Sequence, residues 1–164
     1  MESWEAEARA LIDREFAPIV ACDPVNAAMV RHWCEAMGHP FEWNEALEAP
    51  ATMLQCWLFP GPSRERPPGS ATEDATTALK LLAQGGYEGV VTVSTELDFV
   101  SCLKPGDRLD YISTLESIGE EKTTALGLGR FVGFRLSVRD AQGTTVGTIR
   151  FTNLAYRPAS GAAR

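Results

Sequence analysis

Apolar and polar positions follow two periods along this chain, and the switch from one to the other divides it in half. From Trp4 to Phe16, the residues Trp4, Ala8, Leu11, Ile12 and Phe16 recur at helical spacing and predict a helix with an acidic, solvated face. Pro18 ends it, and Ile19-Val20-Ala21-Cys22 suits a short strand. A second helix follows. Asp23 is placed to cap it, Pro24 takes the first helical position, and Val25, Met29, Trp33, Ala36 and Met37 share a face. Gly38 closes this helix and Pro40 prevents its continuation. The stretch Pro50 to Phe59 is different, because apolar side chains surround it and a helix apolar on all sides belongs inside the molecule. Pro60-Gly61-Pro62 stops it. Residues 61–72 form a mobile stretch, and Ser70-Ala71-Thr72-Glu73 reads as a capping box for a helix through Gln84, ended by Gly85-Gly86.

Beyond Gly86 the period becomes two. Val91, Val93, Thr95, Leu97 and Phe99 face one way, while Thr92, Ser94, Glu96 and Asp98 face the other. Pro105-Gly106-Asp107 turns into a strand over 108–116, Gly119-Glu120-Glu121 into a long strand over 122–140, and Ala141-Gln142-Gly143 into a last strand over 144–156. Gly127, Gly129 and Gly133 imply bulges or sharp curvature in the long strand. Short turns between consecutive strands predict an antiparallel meander. A curved antiparallel sheet wrapped around one central apolar helix is an α+β arrangement, the hot-dog fold. Residues 1–158 are expected to form a single domain of this kind, with 159–164 as a flexible tail.

Composition narrows the function classes. The 164 residues carry a net charge of −7, and residues 1–50 hold 3 basic and 10 acidic side chains against 12 of each in the remainder. The deficit is therefore N-terminal, and no basic surface is offered to nucleic acid or to anionic lipid. The longest uncharged run, Ala49 to Ser63, is shorter than a membrane span and is broken by three prolines. An acidic N-terminus and four cysteines without C-x-x-C spacing predict a cytoplasmic protein with reduced, largely buried thiols.

Several motifs stand in a characteristic order: Asp23-Pro24-Val25-Asn26, Trp33, Glu35-Ala36-Met37, Ala49-Pro50-Ala51, Met53 and Trp57. Gly89-Val90-Val91, Leu103-Lys104-Pro105-Gly106-Asp107 and Lys122-Thr123-Thr124-Ala125-Leu126-Gly127-Leu128-Gly129 follow them. Over about residues 17–157 this arrangement resembles the MaoC-like enoyl-CoA hydratases. Within that family the likeness is to the larger subunit of the heteromeric hydratase of bacterial steroid side-chain breakdown. The family's active loop carries an aspartate and, five positions later, a histidine. Here the loop reads Gly38-His39-Pro40-Phe41-Glu42-Trp43-Asn44-Glu45, and no such pair occurs anywhere in the chain. The link from Gly38 to Pro50 is also about ten residues shorter than the family's, and the second domain that usually follows in that subunit is not expected within these residues.

The resemblance implies a subunit that shapes an acyl-CoA pocket while a hot-dog partner supplies the aspartate and histidine, as a heterodimer or heterotetramer; a homodimer is the other possibility. No catalytic residue, metal or separate cofactor is expected in this chain, coenzyme A being part of the substrate. Candidate substrate-binding residues are Pro50, Met53, Trp57, Lys122, Gly127, Gly129 and Arg130, with Arg64 and Arg66 as further partners for coenzyme A phosphates. His39 with Glu42 or Glu45 could replace the missing pair only if the short loop folds back, and His32 reads as a surface residue. Two other readings remain open. One is an acyl-CoA thioesterase with Glu48 as base, and the other is a scaffold that binds acyl-CoA without turnover.

Overall fold

A computed structural model describes residues 3–42, 46–59 and 65–158. Its second half is an antiparallel sheet, as the period-two pattern requires. Strands β1 (Ile19–Val20), β2 (Gly89–Phe99), β3 (Leu109–Ile118), β5 (Gly127–Asp140) and β6 (Thr145–Tyr156) lie in the order β1-β3-β5-β6-β2, and the short β4 (Lys122–Thr124) folds back on β5. This is the hot-dog arrangement. The simple meander is corrected. β2 pairs with β6 rather than with its successor β3, so β2 forms one edge of the sheet, and among the described residues no strand pairs with its other side.

Two local expectations along the strands also change. The long strand over 122–140 is a hairpin, with Lys122 opposite Gly129 and Thr124 opposite Gly127. Gly127, at φ 125°, makes the return that a side chain would oppose. In β2 a bulge between Thr92 and Ser94 leaves Val93 without a cross-strand partner. The alternation therefore slips. Thr92 pairs with Asn153 and Thr95 with Phe151, both positions facing the core, and Val91 falls opposite Leu154.

Against the sheet's inner face pack α1 (Ser3–Arg9), α2 (Ala27–Met37), a 3-10 helix (Ala51–Trp57) and α3 (Thr77–Gln84). The first helix stops well short of Phe16. Asp13 N–H donates to the Leu115 carbonyl at 2.9 Å and Phe16 N–H to the Ser113 carbonyl at 3.1 Å, so this segment joins the sheet instead. The cap of α2 is Asn26, not Asp23. Its side-chain oxygen accepts from Met29 N–H at 2.9 Å, a bond worth about 1 kcal/mol. Gly38, at φ 69°, closes α2 as its position requires. Ser70 does not cap α3. Its hydroxyl accepts from Val20 N–H at 3.1 Å, and the helix begins seven residues later.

The central apolar segment is a 3-10 helix of 7 residues rather than an α-helix. It buries Met53, Leu54 and Trp57, and Leu58 after it, but leaves Ala51, Thr52 and Phe59 exposed. Its short length divides the core in two. Under it and α2 lie Ile19, Val30, Met53, Trp57, Leu136, Val138 and Ile149. Under α1 and α3 lie Trp4, Ala8, Ala78, Leu82, Tyr87, Leu115, Val132 and Ala155. Of the cysteines only Cys34 is buried; Cys22 and Cys56 are half-buried and Cys102 is exposed, which corrects the expectation of largely buried thiols.

Candidate functional site

Between those two cores the described residues leave part of the sheet's inner face facing a cavity of about 470 Å³. Its floor follows successive inward positions of the strands. These are Tyr111 and Ser113 of β3, Leu136 and Phe134 of β5, Phe151 and Asn153 of β6, and Thr92 of β2. Tyr111 pairs in register with Val138, and Asn153 with Val132. The two ends of the floor therefore differ by six residues on β5, roughly 20 Å along the strands. The walls come from Ile19, Val20 and Cys22 at one end, from Leu58 and Phe59 after the 3-10 helix, and from Asp74, Ala75 and Thr76 before α3. The middle is apolar and the ends are polar.

At the Tyr111 end most polar groups are already paired. Arg66 donates to the Ala71 carbonyl at 2.7 Å and to the Asp74 carboxylate, which also accepts from Thr76 N–H at 2.8 Å and from the Thr76 hydroxyl. Ser113 Oγ accepts from Ala75 N–H at 3.0 Å. The Tyr111 hydroxyl bonds to no described residue. Burial first, then the negative charge of Asp74, push its pKa up to about 12, with Arg66 opposing and Cys22 adding a little. At the other end, beside the sheet edge, Asn153 Oδ1 is buried and has no partner among the described residues.

The residues singled out by sequence fall elsewhere. Met53 and Trp57 are core, each 1% exposed, and Trp57 Nε1 is buried without a partner among the described residues. Pro50 is half-buried at the start of the 3-10 helix. None of these three lines the cavity. Lys122, Gly127 and Gly129 sit on the β4–β5 hairpin, with Lys122 exposed. Arg130 is buried against α1. It donates to the Tyr87 hydroxyl at 3.1 Å and to the Gly119 carbonyl at 3.2 Å, and it pairs with Glu5 at 3.2 Å. Burial opposes its charge, but the Tyr87 bond and the carboxylates of Glu5 and Glu120 prevail and raise its pKa. Of the loop arginines, Arg66 reaches the cavity and Arg64 lies outside the described residues.

His39 and Glu42 are exposed, and Glu45 lies outside the described residues. His32 is exposed near Arg31 and Glu35. Glu48 is solvent-facing, 3.9 Å from Lys104, and its hydrogen bond with the Cys102 thiol raises that thiol's pKa. Among the described residues no group of three His, Cys, Asp or Glu side chains could hold a metal, and no helix is long and apolar enough to cross a membrane. Sequence reasoning missed Tyr111, Ser113, Asp74 and Asn153. A signal existed for two of them, since Ser113 and Asn153 interrupt inward files of otherwise apolar or aromatic residues.

A family described as FAS1-like, dehydratase domain region matches residues 10–149. The chain belongs to that family. Two relatives of this dehydratase-type chain carry functional names. A "Probable enoyl-CoA hydratase alpha subunit" of Thermomonospora curvata is 37% identical over 169 residues, covering 96% of this chain and 53% of that protein. A "3-oxo-4,17-pregnadiene-20-carboxyl-CoA hydratase alpha subunit" of Mycobacterium tuberculosis is 32% identical over 126 residues, covering 70% of this chain and 40% of that one. The chain thus spans about half the length of these relatives or less. Among solved structures, the ChsH1-ChsH2 complex from Mycobacterium tuberculosis aligns at TM-score 0.80 and 27% identity, covering 96% of this chain and 93% of the matched one. A MaoC-like dehydratase from Rhodospirillum rubrum, at TM-score 0.54 and 17% identity, shares the fold.

Proposed function

We propose that this chain is the acyl-binding, non-catalytic MaoC-like subunit of a heteromeric enoyl-CoA hydratase for bulky, steroid-derived acyl groups. The observation that carries the proposal is the apolar cavity between the two cores, in a chain of a dehydratase family that has no aspartate–histidine pair. Hydration of an enoyl thioester requires one group to take a proton from water, another to deliver one to the α-carbon, and a donor at the enolate oxygen. This chain provides none of the proton-transfer pair. It provides space: Leu58, Phe134, Leu136 and Phe151 can take up apolar ring surface and exclude water from it.

The partner's place in this reading is the free edge of β2. Val90, Val91, Val93 and Phe99 are exposed along it, and Val100 just beyond is 67% exposed. An unpaired edge carrying apolar side chains is a template for another sheet. A hot-dog partner docked there would set its own aspartate and histidine beside the Asn153 end of the cavity. The relatives' designation as alpha subunits and the fold shared with a two-component complex support the same reading.

The purified chain is expected to show no hydration of crotonyl-CoA or of a polycyclic enoyl-CoA. Mixing it with a small hot-dog subunit that carries the Asp-x4-His pair is expected to restore turnover of the polycyclic substrate, followed as loss of enoyl-thioester absorbance. Brisk turnover by the chain alone would refute the proposal. Thiol release abolished by Glu48→Gln would replace it with a thioesterase.

A further inference from the structure

The Tyr111 end of the cavity contains a hydroxyl that bonds to no described residue. Tyr111 is 7% exposed, and its ring sits between Ile19 and Val138 in the register of the sheet. Its hydroxyl reaches the cavity, within electrostatic range of Asp74, Arg66 and Cys22. The neighbouring groups have used their strongest bonds on one another: Arg66 on Asp74 and Ala71, Asp74 on Thr76, Ser113 on Ala75. A phenol in such surroundings keeps its proton at any physiological pH and stands ready as a neutral donor. The nearby carboxylate of Asp74 also disfavours an anionic group there.

Resting on the reading of the cavity as an acyl pocket, we infer that Tyr111 is a specificity-determining residue. It hydrogen-bonds a neutral oxygen, carbonyl or hydroxyl, at the end of the acyl group farthest from the thioester. The orientation follows from the partner's proposed place at the β2 edge. The thioester must approach the partner's proton-transfer groups at the β2 edge, where Thr92 and Asn153 lie. A rigid acyl group running along the floor therefore brings its far end to Tyr111. Before a ligand binds, water can satisfy this hydroxyl, so a ligand gains only where its own acceptor replaces that water; a methylene at the same place displaces water and returns nothing.

The test uses two tetracyclic carboxylic-acid coenzyme A thioesters, alike except that one carries a carbonyl and the other a methylene at the ring position farthest from the thioester. A hydroxyl analogue serves as a third probe. Titrated calorimetrically into the full chain, the carbonyl and hydroxyl ligands are expected to bind roughly tenfold tighter than the methylene one. Tyr111→Phe is expected to abolish that preference and to raise the methylene ligand's affinity toward that of the other two, because no hydroxyl is then left unpaired; the gain also reports that the variant is folded. Equal affinities in the native chain would overturn the inference and leave the acyl-pocket reading standing. So would a loss in Tyr111→Phe that is the same for every ligand. Failure of every probe to bind the native chain would overturn both.

Discussion

Tyr111 links burial to a measurable titration. Burial favours the neutral phenol, so the folded chain holds this proton up to about 12, whereas the unfolded chain releases it near the ordinary value of 10. Between those limits the folded state binds more protons than the unfolded one. Its contribution is therefore intact below pH 10 and is lost as pH rises from 10 to 12. Denaturation midpoints measured across that window should fall in the native chain and fall less in Tyr111→Phe; parallel curves would mean that the hydroxyl is not buried as described. Single residues were the hardest level to read from sequence. Asn153 and Ser113 stood out as polar residues at inward positions. Arg130 stood out because it sits beside two glycines in a ligand-like context, while its intrachain partners did not. Nothing local indicates that Glu5, Tyr87 and the Gly119 carbonyl converge on it from distant parts of the chain.

Elements were legible wherever one chain segment decides its own structure, and illegible where a neighbour decides. The alternation of β2 is a real signal, but the bulge at Val93 exists only against β6, and a single strand cannot show which residue its partner skips. The helix stripe from Trp4 to Phe16 is genuine amphipathicity, yet its second half is claimed by the edge of β3. Apolar residues around Pro50 to Phe59 did indicate burial, but only on one side, and the exposed Phe59 helps to wall the cavity. The edge strand also carries the assembly prediction. Val93→Lys adds a charge to an exposed edge position, which should weaken association with the hot-dog partner at least tenfold by sedimentation. The chain's own stability should stay within about 0.5 kcal/mol. Undiminished association would place the interface elsewhere.

At the scale of the whole molecule, fold class and family were open to sequence reasoning, because turn positions, motif order and the change of period all agree. The cavity was not. It lies between two separate cores beside a central 3-10 helix of 7 residues, and no motif marks where that helix ends. The account's central claim is that this chain contributes room for a large acyl group, not proton transfer. Leu136→Trp tests it most directly, since Leu136 lies on the cavity floor between Ser113 and Ile149 in register. In the complex reconstituted with its catalytic partner, kcat/KM should fall at least a hundredfold for a polycyclic enoyl-CoA and change less than threefold for crotonyl-CoA. Full activity on both substrates would contradict the claim.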